Sequence, residues 1–181
     1  MTLQIVLDDT TPAGLKAFRT ANQKTARELV ATSKTLIASV VLNQPLSVSE
    51  FNKLVDKYGL QVNGFQLRVI DGRGDRVTLF GAPTDGQLVP MQQLQSMLEW
   101  VQKQTGTAKL LGITSIDIGL PSANYESLSA DPSVFLVDLT PAFAEQHLRQ
   151  QYASLLKSDD AITTSAYPIY WYLESSQLVQ P

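Results

Sequence analysis

Gly112-Ile113-Thr114-Ser115-Ile116-Asp117-Ile118, followed by Leu128-Ser129-Ala130-Asp131-Pro132-Ser133-Val134-Phe135-Leu136-Val137-Asp138, reads as strand, helix end and strand. Lys109 to Leu120 is a strand region in which Ile113, Ser115 and Asp117 alternate against Thr114, Ile116 and Ile118. A short helix is expected around Tyr125–Ala130. Asp131-Pro132 stops it, because the residue before proline avoids the α region and proline has no N–H to donate. Val134 and Leu136 then alternate with Phe135 and Val137 as the two faces of a second strand, Val134 to Leu139.

Upstream, Thr35 to Leu42 is rich in β-branched residues and reads as a buried strand that Pro45 ends. Ser47 or Ser49 can cap a helix bearing Phe51, Leu54, Val55 and Tyr58, which Gly59 stops. Leu60 to Ile70 alternates, Asp71-Gly72-Arg73-Gly74-Asp75 is a tight turn, and Val77, Leu79 and Ala82 belong to the returning strand. Pro90 opens a helix carrying Met91, Leu94, Leu98 and Val101 that closes near Gly106. Thr11-Pro12 opens an N-terminal helix over roughly 12–31, and Pro141 opens another through about Leu156. Tyr167 to Leu173 reads as a strand, with Ile169, Trp171 and Leu173 on one face and Tyr170, Tyr172 and Glu174 on the other. Strands and helices interleave with at least one hairpin, so the expected class is α+β, one domain over 1–181 with its core at about 36–139.

The stretch 112–138 resembles the second half of subtilisin-type propeptides and of the propeptide-like protease inhibitors. It matches them in a strand leading to a short helix, and in a Leu-x-x-x-Pro-x-Val-x-x-Val-acidic pattern opening the last strand. The resemblance implies a ferredoxin-like βαββαβ core with an inserted helix and added N- and C-terminal elements. It also implies a domain that binds a protease as folding chaperone and inhibitor. Residues 71–108 are an insertion that the small propeptides lack, and about forty residues follow the last strand. Both depart from the family plan, and no useful inhibition of a subtilisin is expected.

Composition narrows the function classes. Hydrophobic residues make up 44% of the 181, charged residues 17%, and the net charge is −3. No stretch gathers the lysines and arginines that a nucleic-acid backbone would need, so no nucleic acid is expected as a partner. The longest apolar runs, such as Leu36–Leu42, are too short to cross a bilayer, so no integral membrane segment is expected. With no cysteine, disulfides, thiolate metal sites and cysteine nucleophiles are excluded. The N-terminal Met1-Thr2-Leu3-Gln4-Ile5 lacks the features of a signal peptide, and an extracytoplasmic setting is favoured.

Few residues suggest chemistry. His147 is the single histidine, flanks the apolar face of its helix and has no HExxH-like companion, so no metal is expected. No Gly-x-Ser-x-Gly elbow and no phosphate-cradling glycine loop is present, so neither a catalytic residue nor a cofactor is expected. Asp8-Asp9 and Asp159-Asp160 read as loop or capping residues, and Asp117 and Asp138 lie singly on strands. Arg73-Gly74-Asp75 matches an adhesive tripeptide, but a hairpin turn asks for the same residues. The aromatic segment is the expected partner surface, with Tyr170 and Tyr172 as its contact residues, since tyrosine gives large contact area at modest entropic cost. The resulting expectation is a non-catalytic protein-binding or regulatory module. The alternatives are an enzyme using carboxylates and a structural part of a larger assembly.

Overall fold

The computed structural model describes residues 2–155, 157, 163–166 and 169–179, with strands Thr2–Ile5 and Thr163–Ala166 described by their backbone alone. The described elements are β1 (Thr2–Ile5), α1 (Pro12–Thr32), β2 (Thr35–Leu46), α2 (Val48–Tyr58), β3 (Gln61–Asp71), β4 (Arg76–Gly81) and α3 (Met91–Thr105). There follow β5 (Ala108–Pro121), a 3₁₀ turn (Ser122–Asn124), α4 (Tyr125–Ser129), β6 (Val134–Asp138), α5 (Thr140–Gln151), β7 (Thr163–Ala166) and α6 (Ile169–Ser175). The fold is α+β: a five-stranded antiparallel sheet in the order β4-β3-β5-β2-β6, six α-helices, and a separate parallel pair β1-β7.

Local chemistry places the helix ends. The Thr11 hydroxyl accepts from the Gly14 amide while Pro12 fills the first turn of α1, where its missing N–H costs nothing. Ser47 and Glu50 form a capping box at α2: the Glu50 amide donates to Ser47 Oγ at 3.3 Å and the Ser47 amide donates to the Glu50 carboxylate at 2.8 Å. At the other end of α2, Gly59 takes the left-handed conformation that a side chain resists, and the Leu60 amide reaches back to the Val55 carbonyl at 3.0 Å.

The sheet separates two cores. Leu36, Ala38, Val40, Phe65, Leu67, Ile116, Ile118 and Leu120 face the first, which α2, α3 and α4 cover with Phe51, Leu54, Leu94 and Leu128. Val41 and Leu136 face the second, with Leu15 of α1, Ile169, Tyr170 and Leu173 of α6, and Val179. Bulges at Leu111 and Thr114 in β5 and at Phe135 in β6 break the strict alternation expected there. Ser115 pairs with Gln66 but Ile113 with Leu67, so Thr114 is extra and Ile113 joins Ile116 and Ile118 on the first core. In β6, Val41 pairs with Leu136 but Leu42 with Val134; Phe135 is extra and turns to the second core, under the Arg19 guanidinium.

Three expected boundaries move. β2 runs past Pro45 to Leu46, because the stretch between Val41 and Leu46 is irregular and asks no ladder N–H of the proline. Its end presses on Gly112, where an added Cβ would come within 2.4 Å of the Leu46 carbonyl oxygen. α5 ends at Gln151; Leu156, the expected end, lies outside the described residues. From Ile169 on, the aromatic segment is a helix and not a strand; Tyr167 and Pro168 lie outside the described residues. Ile169, Tyr170, Leu173 and Glu174 are its buried residues, a spacing of 3.6 instead of 2.

Two polar clamps hold the periphery. Asn22 of α1 donates to the Asp138 carboxylate and, at 2.9 Å, to Thr140 Oγ1, and accepts from the Leu139 amide at 3.2 Å. The helix feeds Leu15 to one core and Ala26 and Leu29 to the other, so Asn22 sits beside the β6 edge. Asp131 accepts from Lys57 Nζ at 2.8 Å, Tyr58 Oη at 2.7 Å and both the amide and hydroxyl of Ser133. Burial would raise the Asp131 pKa, but the hydrogen bonds from Lys57, Ser133 and Tyr58 outweigh it and hold the carboxyl well below the usual range. A carboxyl depressed on folding contributes stability above its ordinary value of 3.8, and that contribution is lost as pH falls through the folded value. Asp131→Ala is therefore expected to cost about 1–2 kcal/mol in urea denaturation at neutral pH, the lysine contact being solvent-screened. The difference from wild type should shrink below pH 3.8.

Candidate functional site

The strand register decides which side chains share the second face. Asp117 pairs with both Ser39 and Gly64, and Ser39 pairs with Asp138. One row therefore reads Gly64, Asp117, Ser39, Asp138. The next reads Phe80, Gln66, Ser115, Val41, Leu136, and beyond it Thr78 pairs with Arg68. This face is polar at its centre and apolar toward β6, the reverse of the uniformly apolar first core.

Arg68 is the main cation of this face, and α6 is built onto it. Its Nε donates to Glu174 Oε1 at 3.1 Å, its Nη2 donates to Glu174 Oε2, and its Nη1 donates to Thr78 Oγ1 at 2.8 Å. The Arg68 and Glu174 side chains are both almost fully buried. Trp171 donates its indole N–H to Thr78 Oγ1 at 2.6 Å and lays its ring 5.5 Å from the Arg68 guanidinium. Arg76 adds a second cation 3.7 Å from Glu174 Oε2. A two-pronged pair matches guanidinium to carboxylate geometry, which a lysine could not do. None of this network is visible in sequence: Arg68 and Glu174 lie 106 positions apart.

The structure separates the two tyrosines of the expected surface. Consecutive helical residues turn by about 100°, so Tyr170 and Tyr172 point to different sides of α6. Tyr170 is 1% exposed within the second core; burial chiefly, then the Glu174 charge, pushes its hydroxyl pKa above the usual tyrosine value. Tyr172 is half-buried against the same core. Trp171, between them, carries the exposure at 44%, and Tyr167 lies outside the described residues.

What α6 leaves open lies beside it. β4 is the sheet's edge strand, and among the described residues its outer side pairs with no strand. In the hairpin the Asp71 amide donates to the Asp75 carbonyl at 2.9 Å and the Gly74 amide to the Asp71 carbonyl at 3.1 Å. From this pair, antiparallel alternation makes 69–77, 67–79 and 65–81 the hydrogen-bonded pairs. The backbone N–H and C=O groups of Arg76, Thr78 and Phe80 thus turn outward. Phe80 is 63% exposed on the same face as Thr78, which holds Trp171. Edge backbone, Phe80 and Trp171 form one continuous strip.

The remaining candidates resolve separately. Burial raises the pKa of Asp117 against a lowering hydrogen bond from Ser39, although the residue keeps contact with solvent. Burial also raises that of Asp138, against lowering bonds from Thr140 and Asn22. Ser39 separates the two, and their shifts run in the same direction, unlike those of an acid–base pair. His147 is exposed on α5 and stacks on Phe143 with ring centroids 6.4 Å apart. In the 71–75 turn the Asp71 carboxylate accepts from the Arg73 and Asp75 amides, and Gly74 has φ +86°. Gly72 abuts the Thr105 carbonyl too closely for a Cβ, so turn and packing account for both glycines. Asp9 accepts from the Thr11 amide at 2.9 Å, whereas Asp159 and Asp160 lie outside the described residues.

Breaking the buried pair tests its role. Arg68→Met leaves the buried Glu174 carboxylate with only the more distant, partly exposed Arg76 cation and is expected to cost about 3 kcal/mol by urea denaturation; adding Glu174→Met should recover much of that. In comparisons with protein-family models, with curated proteins and with solved structures, nothing matches the chain, so the functional argument rests on this geometry.

Proposed function

We propose that this protein is a non-catalytic protein-binding module that takes an extended segment of a partner protein as an added strand along β4. The carrying observation is the strip of outward backbone groups at Arg76, Thr78 and Phe80, flanked by the exposed rings of Phe80 and Trp171. An edge strand offers a row of unmet donors and acceptors, and an extended peptide satisfies them whatever its sequence. Side chains at alternate positions of that peptide would lie against Phe80 and Trp171, where aromatic area supplies affinity.

A ferredoxin-like reading of the core fits this role. With β4 and α3 set aside, the order β6-β2-β5-β3 is fourth, first, third, second, and α2 and α4 make the two crossovers. The insertion then has a consequence: it adds β4 outside β3 and so supplies the edge. Where a propeptide's tail would run from the last strand into a protease cleft, this chain continues into α5 and, further on, α6, anchored by Glu174 on Arg68. A subtilisin assay is accordingly expected to show no sub-micromolar inhibition.

A displayed library of random peptides, selected on the full chain, tests the binding role. Enriched peptides should carry large apolar residues at alternate positions and should lose binding to Phe80→Ser and to Arg76→Pro. Of the backbone groups, proline at 76 removes only an outward N–H, so the hairpin keeps its internal bonds while the edge is blocked; Arg76→Ala is the control for the lost cation beside Glu174. Peptides that bind the folded Arg76→Pro variant as tightly as wild type would overturn strand addition.

A further inference from the structure

A second candidate site lies between α1 and α4. Gln23 and Arg27 project one helical turn apart from α1, and Tyr125, Glu126 and Ser129 project from α4; with Ala130 they line a pocket of about 210 Å³. Tyr125 is among the largest buried side chains, at 2% exposure, and its ring belongs to the first core. Its hydroxyl and Ser129 Oγ approach one another without a well-formed hydrogen bond, and neither has another partner among the described residues. Buried hydroxyls are ordinarily paired, and an unpaired one forfeits its bonds to water, so two at one pocket wall point to something that fills the pocket.

The charges at the mouth specify what that is. Arg27 and Glu126 are both exposed, both lie close enough to the Tyr125 hydroxyl to influence its ionisation, and among the described residues they form no ion pair with each other or with a third residue. A plain anion placed between them would meet Glu126, and a plain cation would meet Arg27. The Asp138 carboxylate also acts on Tyr125, adding negative charge behind the pocket floor. A molecule bearing both charges on adjacent atoms satisfies every group at once.

We propose that the pocket between α1 and α4 binds a small zwitterion of the α-amino-acid class, its ammonium toward Glu126 and the Tyr125 hydroxyl, its carboxylate toward Arg27. Tyr125 and Ser129 hydroxyls can each donate or accept, so both take part whichever way the ligand settles. The volume admits glycine, alanine or serine with room to spare. Because α1 also carries Asn22, which clamps Asp138, occupancy bears on the same helix that seals the β6 edge.

Backbone amide NMR of the full chain, titrated separately with glycine, L-alanine, L-serine, acetate and methylammonium, tests the assignment. Saturable shifts at Gln23, Arg27 and 125–130 are expected with at least one amino acid. The single-charge probes should bind at least about tenfold more weakly, a difference of about 1.4 kcal/mol. Arg27→Met and Glu126→Gln should each weaken the amino acid by about tenfold or more, and Tyr125→Phe should weaken it while keeping the fold, since the lost hydroxyl holds nothing in place. Absence of saturation by all three amino acids up to about 50 mM, a range that would still register millimolar affinity, would overturn the proposal. Equal shifts with acetate, or binding indifferent to Arg27→Met and Glu126→Gln, would overturn it as well, leaving a simple anion or solvent site.

Discussion

The Arg68 guanidinium on the polar face of the sheet is the constraint around which the C-terminal part of the chain is organised. A buried cation is tolerated only where its charge and its donors are met, and a single strand cannot meet them. Glu174 supplies the charge with both oxygens and Thr78 takes the third donor group. Satisfying Arg68 therefore requires α6 to lie across β3 and β4 in one orientation. That orientation buries Ile169, Tyr170 and Leu173 in the second core and leaves Trp171 at the surface. The reversal at the helix end follows: Gln177 takes a positive φ, and the Leu178 amide bonds the Leu173 carbonyl at 2.9 Å, bringing Val179 back to the core.

The sheet treats its two edges differently, and the proposed strand addition depends on the difference. β6 is buried throughout, with α1 alongside it and Asn22 bonded to the chain just beyond its end. β4 carries a partly exposed pattern, one charged residue and no proline, so it lacks the usual devices that discourage pairing. The strand addition proposed above would use this open edge. The aromatic strip beside it gives that pairing a side-chain component, which backbone groups alone cannot provide.

Irregularities in the sheet serve the same division. Each bulge shifts the phase of a strand by one residue and so moves side chains between faces. Thr114 lets β5 give Ile113 as well as Ile116 to the first core while Ser115 and Asp117 stay on the polar face. Phe135 lets β6 give two neighbours, Phe135 and Leu136, to the second core while Val134 and Val137 stay on the first. Without these steps the polar centre of the second face and the continuous apolar first core could not both be built from the same strands.

Much of the fold was legible residue by residue, wherever the deciding interaction is local. Thr11-Pro12, Ser47 with Glu50, Gly59, the 71–75 turn and Asp131-Pro132 each settle a chain direction through contacts within a few positions, and the order of strands and helices from 12 to 151 follows from them. The candidate surface was not legible. Over the seven residues 169–175 a period of 2 and a period of 3.6 both yield an apolar stripe. Only Arg68, brought near by the sheet, selects the helix by offering Glu174 its partner. The same holds for Thr114 and Phe135, whose extra-residue roles exist only against the register of neighbouring strands, and for Tyr125 and Arg27, which meet across two helices about a hundred positions apart. By itself the sequence determined the caps, turns and element order, because these are decided within a few residues of backbone. The tertiary structure decided which faces are buried, which edge is open and which charges meet, because those depend on strand register and on desolvation that arises only when distant segments pack.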